Sequence, residues 1–322
     1  MDRFERLACD WIRALRGRRS QRALSQRLGY RSNIAYRWES GRCFPTARVL
    51  LAAMRKLGHD VKGAIERFYG ARPPWLDSVH PATRDGVALL LEDLRGRTSV
   101  VQLADKTGFS RHRVARWLSG TTEPKLPEWL ALVEASSLRL LDFVAAFFDP
   151  ASLPSVAKEW QRLQAVRHSA YERPESHVVL RALELADYAR SKRHDDEFVA
   201  RRIGLSARDV AECTRLLETA GQIRWQDDKW APVEEGVVDT RRDELKARAL
   251  KAHWLRLAAD HVERGGEGIF GYNLFSISKR DFAKAKEIHL RYYRELQELV
   301  ARSKPNEHVA LFAAQLLRLD RD

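Results

Sequence analysis

Apolar residues recur along most of the chain at intervals of three and four, the spacing of one face of an α-helix. In the segment QRALSQRLGYRSNIAYRW, Leu24 precedes Gly29 by five residues, and Ala35 and Trp38 follow it by six and nine. A glycine there can end one helix in the left-handed conformation, and the next helix then buries the side that carries Ala35 and Trp38. The pattern predicts two short helices joined by a tight turn.

The same pattern occurs twice, because residues 15–52 align without a gap on residues 94–131 at an offset of 79. The second copy places Gly108 at the turn and Val114 and Trp117 on the buried side. One repetition at this long spacing predicts two small domains in tandem, each with five short helices, and not a solenoid. The matched pairs are Leu15/Leu94, Arg16/Arg95, Gly17/Gly96, Arg18/Arg97, Ser20/Ser99, Leu24/Leu103, Gly29/Gly108, Arg37/Arg116, Trp38/Trp117, Ser40/Ser119, Gly41/Gly120 and Pro45/Pro124.

In each copy, the helix that follows the glycine turn exposes polar residues on the side away from its tryptophan. Such a helix fits the major groove of DNA, where arginine can donate two hydrogen bonds to guanine and asparagine can pair with adenine. We expect Ser32 and Ser110 to cap these helices, and Ser20 and Gln21, at the start of the preceding helix, to hold a phosphate. A merely solvated helix face is the alternative. The predicted contacts are Arg31, Ser32, Asn33, Tyr36 and Arg37 in the first copy and Ser110, Arg111, His112, Arg113 and Arg116 in the second.

The segment QRALSQRLGYRSNIAYRWESGRCFP contains a set of residues typical of one family, namely Gln21, Leu24, Gly29, Glu39, Gly41 and Pro45. With these residues the first copy resembles the phage-repressor-like (Xre) helix-turn-helix domain over about one fifth of the chain. The resemblance implies that residues 32–38 lie in a recognition helix and that Gln21 and Arg42 sit near phosphates. In the second copy Val100 stands at the position of Gln21 and Leu118 at that of Glu39. The second copy is either a second DNA-reading domain or a fold kept for packing.

Charge is concentrated in the first copy. The whole chain has a formal net charge of +13. Residues 1–70 hold 16 Lys and Arg against 6 Asp and Glu, which is a net +10, whereas residues 71–150 hold 10 of each. A basic surface inside a readable motif favours nucleic acid as the partner over acidic membrane lipid.

The next part of the chain shows another helix, turn and helix. Helical spacing runs through residues 178–189 and again through FVARRIGLSARDVAECTRLLETAGQIRW, with Ser206 as the expected cap. Residues 222–232 alternate around a turn at Asp227 and Asp228, which predicts a short hairpin. Together these elements resemble a winged helix.

This winged-helix-like region carries charges of both signs. If it binds DNA, Arg208 and Arg215 are the expected helix contacts, and Arg224 or Lys229 the wing contact. Phosphates would repel the acidic residues of the same helix, so we favour a structural or dimer role. The acidic residues are Asp209, Glu212 and Glu218.

Two amphipathic helices are predicted after Asp239, separated by a glycine-rich turn and the segment NLFSIS. Ser278 is expected to cap the second helix, and the closing VALFAAQLLRL to form a strand. The segments FSISKRDF and LFAAQLLRLD resemble the carboxy-terminal domain of unknown function found behind helix-turn-helix units in myxobacterial and related regulators. The resemblance implies transcriptional regulation without naming a ligand. The expected buried positions are Leu245, Ala249, Ala252, Leu255 and Ala259 in the first helix and Phe282, Ala285, Ile288, Tyr292, Leu296 and Leu299 in the second.

The predicted fold is mainly α. We expect tandem helix-turn-helix domains at residues 1–72 and 73–150 and a linker helix with a winged-helix-like domain at 151–236. A small α+β carboxy-terminal domain, for dimerisation or sensing, is expected at 237–322. Proline-containing segments, ARPPWLD and DPASLPSVAKEW, mark the first two boundaries.

Other chemistry finds little support in the sequence. Gly266, Gly268 and Gly271 spell GxGxxG, but a helix precedes them where a dinucleotide site needs a strand, so we predict a loop. His253 and His261 have no third ligand at metal spacing, and no motif nominates a catalytic nucleophile and base. We therefore expect no metal, no cofactor and no enzymatic activity.

The location of the protein is predicted from absences and from cysteine usage. No apolar run has the length of a membrane span, and charges interrupt the amino terminus where a signal peptide would be apolar. Three widely spaced cysteines fit a reducing cytoplasm.

The function expected is a sequence-specific regulator that binds double-stranded DNA, with an unidentified small-molecule or protein effector. A homodimer is expected, although the duplication weakens that expectation because one chain could already span two half-sites. One alternative is a protein-binding helix-turn-helix module, such as an antitoxin-like or phage-defence partner. The other is a ligand-sensing regulator with an apolar pocket between the winged helix and the last domain.

Overall fold

A computed structural model describes residues 1–96, 98–233 and 243–320. Arg97 of the repeat and the predicted boundary between residues 236 and 237 lie outside these ranges. The described chain is mainly helical with one two-stranded antiparallel sheet. It divides into two compact units, residues 1–164 and residues 165–233 with 243–320. None of its helices combines the length and the apolarity needed to cross a bilayer.

The first unit contains both copies of the repeat. The first copy consists of α1 (Arg3–Arg16), α2 (Gln21–Leu28), α3 (Ile34–Glu39), α4 (Ala47–Lys56) and α5 (Val61–Tyr69). After the short α6 (Trp75–Ser78), the second copy consists of α7 (Arg84–Arg95), α8 (Val100–Thr107), α9 (Arg111–Leu118), α10 (Leu126–Ser137) and α11 (Leu140–Ala145). Helix α2 and helix α8 begin and end 79 residues apart, so the repeat in the sequence is matched by a repeat in secondary structure, with five helices in each copy.

The turn in each copy depends on a glycine. Gly29 ends α2 at φ +96° and Gly108 ends α8 at φ +71°, left-handed conformations in which a Cβ atom would be strained. An aromatic pair closes each turn: the rings of Tyr30 and Trp38 lie 5.6 Å apart, and those of Phe109 and Trp117 lie 5.3 Å apart. Both turns therefore fold in the same way from different sequences.

The two copies share one hydrophobic core. Trp11 of α1 is fully buried, and its ring lies 6.4 Å from that of Trp129 and 6.2 Å from that of Phe143, both in the second copy. The core runs without a break from Leu7 to Trp160. Each copy therefore buries part of its apolar surface against the other copy. The predicted boundary between residues 72 and 73 thus separates two copies but not two cores.

The second unit is built from helices and a hairpin. After α12 (Ala157–Glu172), the chain forms α13 (Glu175–Ala182), α14 (Ala186–Arg190), α15 (Asp196–Ile203), α16 (Ala207–Thr219), β1 (Ile223–Gln226) and β2 (Lys229–Pro232). Ser206 caps α16 as predicted, since its hydroxyl accepts a hydrogen bond from the Asp209 amide at 3.1 Å. The hairpin is also confirmed: Trp225 pairs with Trp230, and Asp227 and Asp228 form the turn at φ +51° and +58°.

The carboxy-terminal part contains α17 (Glu244–Glu263) and α18 (Lys279–Arg302). Ser278 caps α18 as predicted, accepting a hydrogen bond from the Asp281 amide at 3.0 Å. The glycine-rich segment after α17 is a loop, also as predicted. Within residues 243–320 no strand forms, so the α+β prediction is wrong for the described part of this region. NLFSIS and VALFAAQLLRL have no regular secondary structure and no paired neighbour among the described residues, and a strand requires one.

The predicted buried faces of α17 and α18 are also largely exposed. Leu245 is 78% exposed, Ile288 is 56% and Leu299 is 62%. Ala249, Leu255, Ala259 and Tyr292 are exposed too, whereas Ala252, Phe282, Ala285 and Leu296 are half-buried. The helical periodicity was therefore a correct guide to the helices, but it does not state what covers their apolar faces.

Candidate nucleic-acid interface

The helix α3 begins at Asn33. The Asn33 side-chain oxygen accepts a hydrogen bond from the Tyr36 amide at 3.4 Å and another from the Ser25 hydroxyl at 3.2 Å. The prediction that Ser32 caps this helix is therefore wrong, because the chain stays non-helical for one residue more. Asn33 is exposed, but its oxygen is already a cap acceptor, which leaves the side-chain NH₂ group to face a partner.

The residues expected on this surface are exposed. Tyr36 and Arg37 lie on α3, whereas Arg31 and Ser32 lie in the turn before it. The Arg42 guanidinium lies 5.1 Å from the centre of the Tyr36 ring, a cation–π distance that holds both side chains on one surface. Within the described part of the chain, the Arg37 side chain has no ion pair.

The one acidic residue of this region is withdrawn from the surface. Glu39 is 4% exposed, and its carboxylate accepts hydrogen bonds from Arg16 Nε at 2.6 Å and from Gln21 Nε2 at 2.7 Å. Ser20 caps α2, accepting a hydrogen bond from the Ala23 amide at 3.1 Å. The side-chain amide of Gln21 thus donates one of its two N–H groups to Glu39, which leaves the other for the expected phosphate contact.

Sequence reasoning missed this network, although the repeat contains a signal for it. Gln21 and Glu39 are both polar in the first copy, and their counterparts Val100 and Leu118 are both apolar in the second. Two positions that change together are expected to touch. The structure places the two residues in contact.

The resulting surface of the first copy is strongly basic. Residues 17–46 contain seven arginines, and Glu39 is the one acidic residue among them. All seven arginines are exposed, whereas Glu39 is buried and paired. The exposed arginines are Arg18, Arg19, Arg22, Arg27, Arg31, Arg37 and Arg42.

The matching surface of the second copy is less basic. Ser110 caps α9 as predicted, accepting a hydrogen bond from the Arg113 amide at 3.4 Å. Arg113 forms an ion pair with Glu128, and its guanidinium lies 4.8 Å from the centre of the Trp117 ring. This arginine is therefore committed to its own copy. Arg111, His112 and Arg116 are exposed and have no ion pair in the described residues.

Helix α16 of the second unit carries the acidic residues Asp209 and Glu212, which are already paired. Arg173 forms ion pairs with both Asp209 and Glu212. Arg208 pairs with Glu212 at 3.2 Å, and Lys229 Nζ donates to the Ala189 carbonyl at 2.6 Å. Two of the cations that sequence analysis considered for this region are thus engaged within the unit.

The candidates for metal binding and for small-molecule binding lie in the second unit. His253 Nε2 lies 3.7 Å from a Glu175 carboxylate oxygen, and no group of three potential metal ligands occurs among the described residues. An open cavity of about 270 Å³ is lined by Val178, Leu185, Arg202 and residues 307–309. It is smaller than the roughly 300–1,000 Å³ of typical ligand pockets.

The second half of the chain matches a known family. A family model described as a domain of unknown function, DUF4423, matches residues 155–319, just over half of the sequence. The chain belongs to the DUF4423 family. The DUF4423 match spans the hairpin, α17 and α18, and it leaves both copies of the repeat outside. It agrees with the expectation that the carboxy-terminal part is a domain of unknown function.

Two other comparisons add no relative. No curated protein matches the sequence, and no solved structure matches it. The function of this DUF4423 protein is therefore argued from its own residues.

Proposed function

We propose that this protein is a sequence-specific DNA-binding transcriptional regulator. In this proposal α2 and α3 form a helix-turn-helix, and α3 is the recognition helix. The observation that carries the proposal is the surface formed by residues 17–46, where seven arginines are exposed and the one acid is buried against Arg16. Such a surface attracts phosphates and leaves a short exposed helix to face base edges.

The proposed contacts have different roles. Arg37 is the best candidate for a base contact, because it lies on α3 and no side chain of the described chain holds it. Arg31 and Arg42 lie at the two ends of α3 and suit phosphates. Ser32, Asn33 and Tyr36 complete the face, with the Asn33 amide as a second possible base donor.

The second unit is proposed to have a structural or regulatory role. Its helices α15 and α16 followed by the β1–β2 hairpin have the order of a winged helix, but the acidic residues of α16 oppose phosphate binding. Sensing of an effector is the regulatory role we assign to it. In the regulator we propose, the protein acts in the cytoplasm.

A salt series of duplex binding tests the proposal. Fragments of the host genome that include this gene's own promoter are titrated with the wild type, Arg37→Ala and Arg256→Ala. Arg256 is an exposed arginine of α17 with no ion pair among the residues that the structure describes. We expect Arg37→Ala to weaken specific binding by about 1–3 kcal/mol and to relax sequence preference. Arg256→Ala removes the same charge and should leave both unchanged.

Two results would overturn the proposal. One is failure of the wild type to bind any duplex in dilute buffer, which would favour a protein-binding module instead. The other is equal loss in Arg37→Ala and Arg256→Ala, which would reduce the interaction to nonspecific charge attraction.

A further inference from the structure

The two copies meet at a joint formed by residues 45–47 and 124–126. The Ala47 amide donates to the Pro124 carbonyl at 2.9 Å, and the Leu126 amide donates to the Pro45 carbonyl at 2.9 Å. Thr46 and Lys125 form an antiparallel bridge between these two bonds. Since each residue of one segment has its counterpart 79 positions later, the two hydrogen bonds are the same contact with the copies exchanged.

Helix packing repeats part of this exchange, although α10 also packs on α7 and α8 of its own copy. Helix α1 contacts α10, and α7 contacts α4, the same pairing with the copies reversed. Helix α4 contacts its own counterpart α10, and α5 contacts its counterpart α11. Self-paired elements and reciprocal contacts define a twofold interface, whereas a head-to-tail repeat would pair different surfaces. The joint therefore lies on a pseudo-twofold axis within one chain.

Side chains hold the joint asymmetrically. Glu123 accepts hydrogen bonds from the Thr46 hydroxyl at 2.7 Å and from Arg48 Nε at 2.6 Å, so that one carboxylate of the second copy binds two groups of the first. Its counterpart in the first copy is Phe44, which has no charge. The axis thus relates two similar backbones with different surfaces.

The joint also limits the separation of α3 and α9. Each of these helices ends seven residues before the bridge residue of its copy, so a fully extended chain would reach about 24 Å. The segment from the end of α3 to Thr46 is not fully extended, because the amides of Arg42 and Cys43 both donate to the Arg37 carbonyl. Even fully extended, the two segments together would reach about 48 Å, which covers the roughly 34 Å between half-sites one helical turn apart but not the 68 Å of two turns.

We propose that one chain acts as an intramolecular pseudo-dimer that reads duplex DNA as two unequal half-sites one helical turn apart. Helix α3 occupies the first half-site and α9 the second. This inference rests on the proposed function and adds to it the geometry of the target. The half-sites are unequal because residues 17–46, which include α3, carry seven exposed arginines, whereas Arg113 of α9 is held by Glu128.

Selection from a random duplex library tests the inference with the full chain. The enriched sequences should contain two different motifs whose centres lie 10–11 base pairs apart. Mass measurement of the complex with a 30-base-pair selected duplex should find one chain per pair of motifs. Arg116→Ala should weaken binding by about 5- to 150-fold and relax the preference in the second motif alone. Arg37→Ala should act in the same way on the first motif, and Arg256→Ala on neither.

Changing the distance between the motifs is the most discriminating part of the experiment. Inserting 5 base pairs turns the half-sites to opposite faces, and inserting 10 separates them by two turns. Both insertions should reduce affinity to that of a single motif, because the joint fixes the reach of the two helices. A dimer of chains with a flexible connection would recover binding with the insertion of 10.

The outcomes separate the inference from the proposed function. If no duplex is enriched, DNA binding itself fails. If duplexes are enriched with one motif per chain, with variable spacing, or with full binding by Arg116→Ala, the protein binds DNA but the pseudo-dimer is not its reading device.

Discussion

At the residue scale, the pair formed by Arg16 and Glu39 shows how burial decides the importance of a charge. The Glu39 side chain is 5% exposed and that of Arg16 is 25% exposed, so the carboxylate depends on its partners while the guanidinium still reaches water. Removing Arg16 leaves the buried Glu39 carboxylate without its cation. This costs more than removing Glu39, because the partly exposed Arg16 guanidinium can still be solvated.

We predict that Arg16→Ala lowers the free energy of unfolding by about 2–3 kcal/mol, somewhat less than a fully buried pair because Arg16 is partly solvated. Glu39→Leu, which copies the residue at position 118, should cost less. The neighbouring Arg18→Ala removes an exposed arginine and serves as the control, with a change near zero. Urea denaturation followed by circular dichroism measures all three. Equal effects of Arg16→Ala and Arg18→Ala would contradict the network.

Cysteine reactivity is the second property that belongs to single residues. Burial raises the pKa of the Cys213 thiol to about 11, and burial also raises that of Cys9. A thiol reacts as its thiolate, and at pH 8 a pKa near 11 leaves about one thousandth of Cys213 in that form. Cys43 is only half-buried.

We therefore predict that iodoacetamide at pH 8 modifies Cys43 of the native protein first. Cys9 and Cys213 should react only when urea unfolds the chain, and peptide mass spectrometry follows each site separately. Labelling of native Cys213 as fast as Cys43 would show that its surroundings are open to solvent.

At the element scale, the β1–β2 hairpin illustrates a turn that the sequence predicted correctly but with strained residues. Both Asp227 and Asp228 have positive φ, the conformation of a two-residue type I′ turn, in which glycine is favoured at the second position. A left-handed residue other than glycine costs roughly 1 kcal/mol, less for aspartate than for most residues.

We predict that Asp228→Gly stabilises the protein by about 0.5–1 kcal/mol, because it relieves this strain. Asp228→Val should destabilise it, since a β-branched residue is poorly suited to this conformation. The Asp228 carbonyl accepts a hydrogen bond from the His194 amide, a backbone contact that both variants keep. Thermal unfolding compares the two, and a lower melting temperature for Asp228→Gly would argue against the turn.

At the scale of the whole molecule, the shared core of the two copies is the feature with the largest consequence. Trp11, buried among Trp129, Phe143 and Phe147, has most of its aromatic neighbours in the other copy. Burial of an aromatic side chain is among the largest single contributions to a core.

We predict that a fragment of residues 1–72 does not fold alone, whereas residues 1–164 fold cooperatively. The shorter fragment would expose Trp11 and the other apolar faces of α1 and α4. Tryptophan fluorescence and the dispersion of amide NMR signals distinguish the two fragments. A dispersed spectrum of residues 1–72 would restore the boundary that the sequence suggested.

The sequence by itself determined the local structure of this protein. Glycines at 29 and 108, polar caps such as Ser20 and Ser110, and apolar residues at helical spacing place the short helices, because each of these signals acts within a few residues. The repeat at an offset of 79 also predicted that two copies of this arrangement occur, with basic charge mainly in the first copy.

The tertiary structure decided the contacts that join residues distant in sequence. An apolar face does not state its partner, so periodicity could not show that α1 packs on α10 or that the faces of α17 and α18 stay largely exposed. A strand likewise exists only beside another strand, which is why NLFSIS and VALFAAQLLRL remained unpaired. The burial of Glu39 against Arg16, and the reciprocal joint at Thr46 and Lys125, arise from the same long-range complementarity.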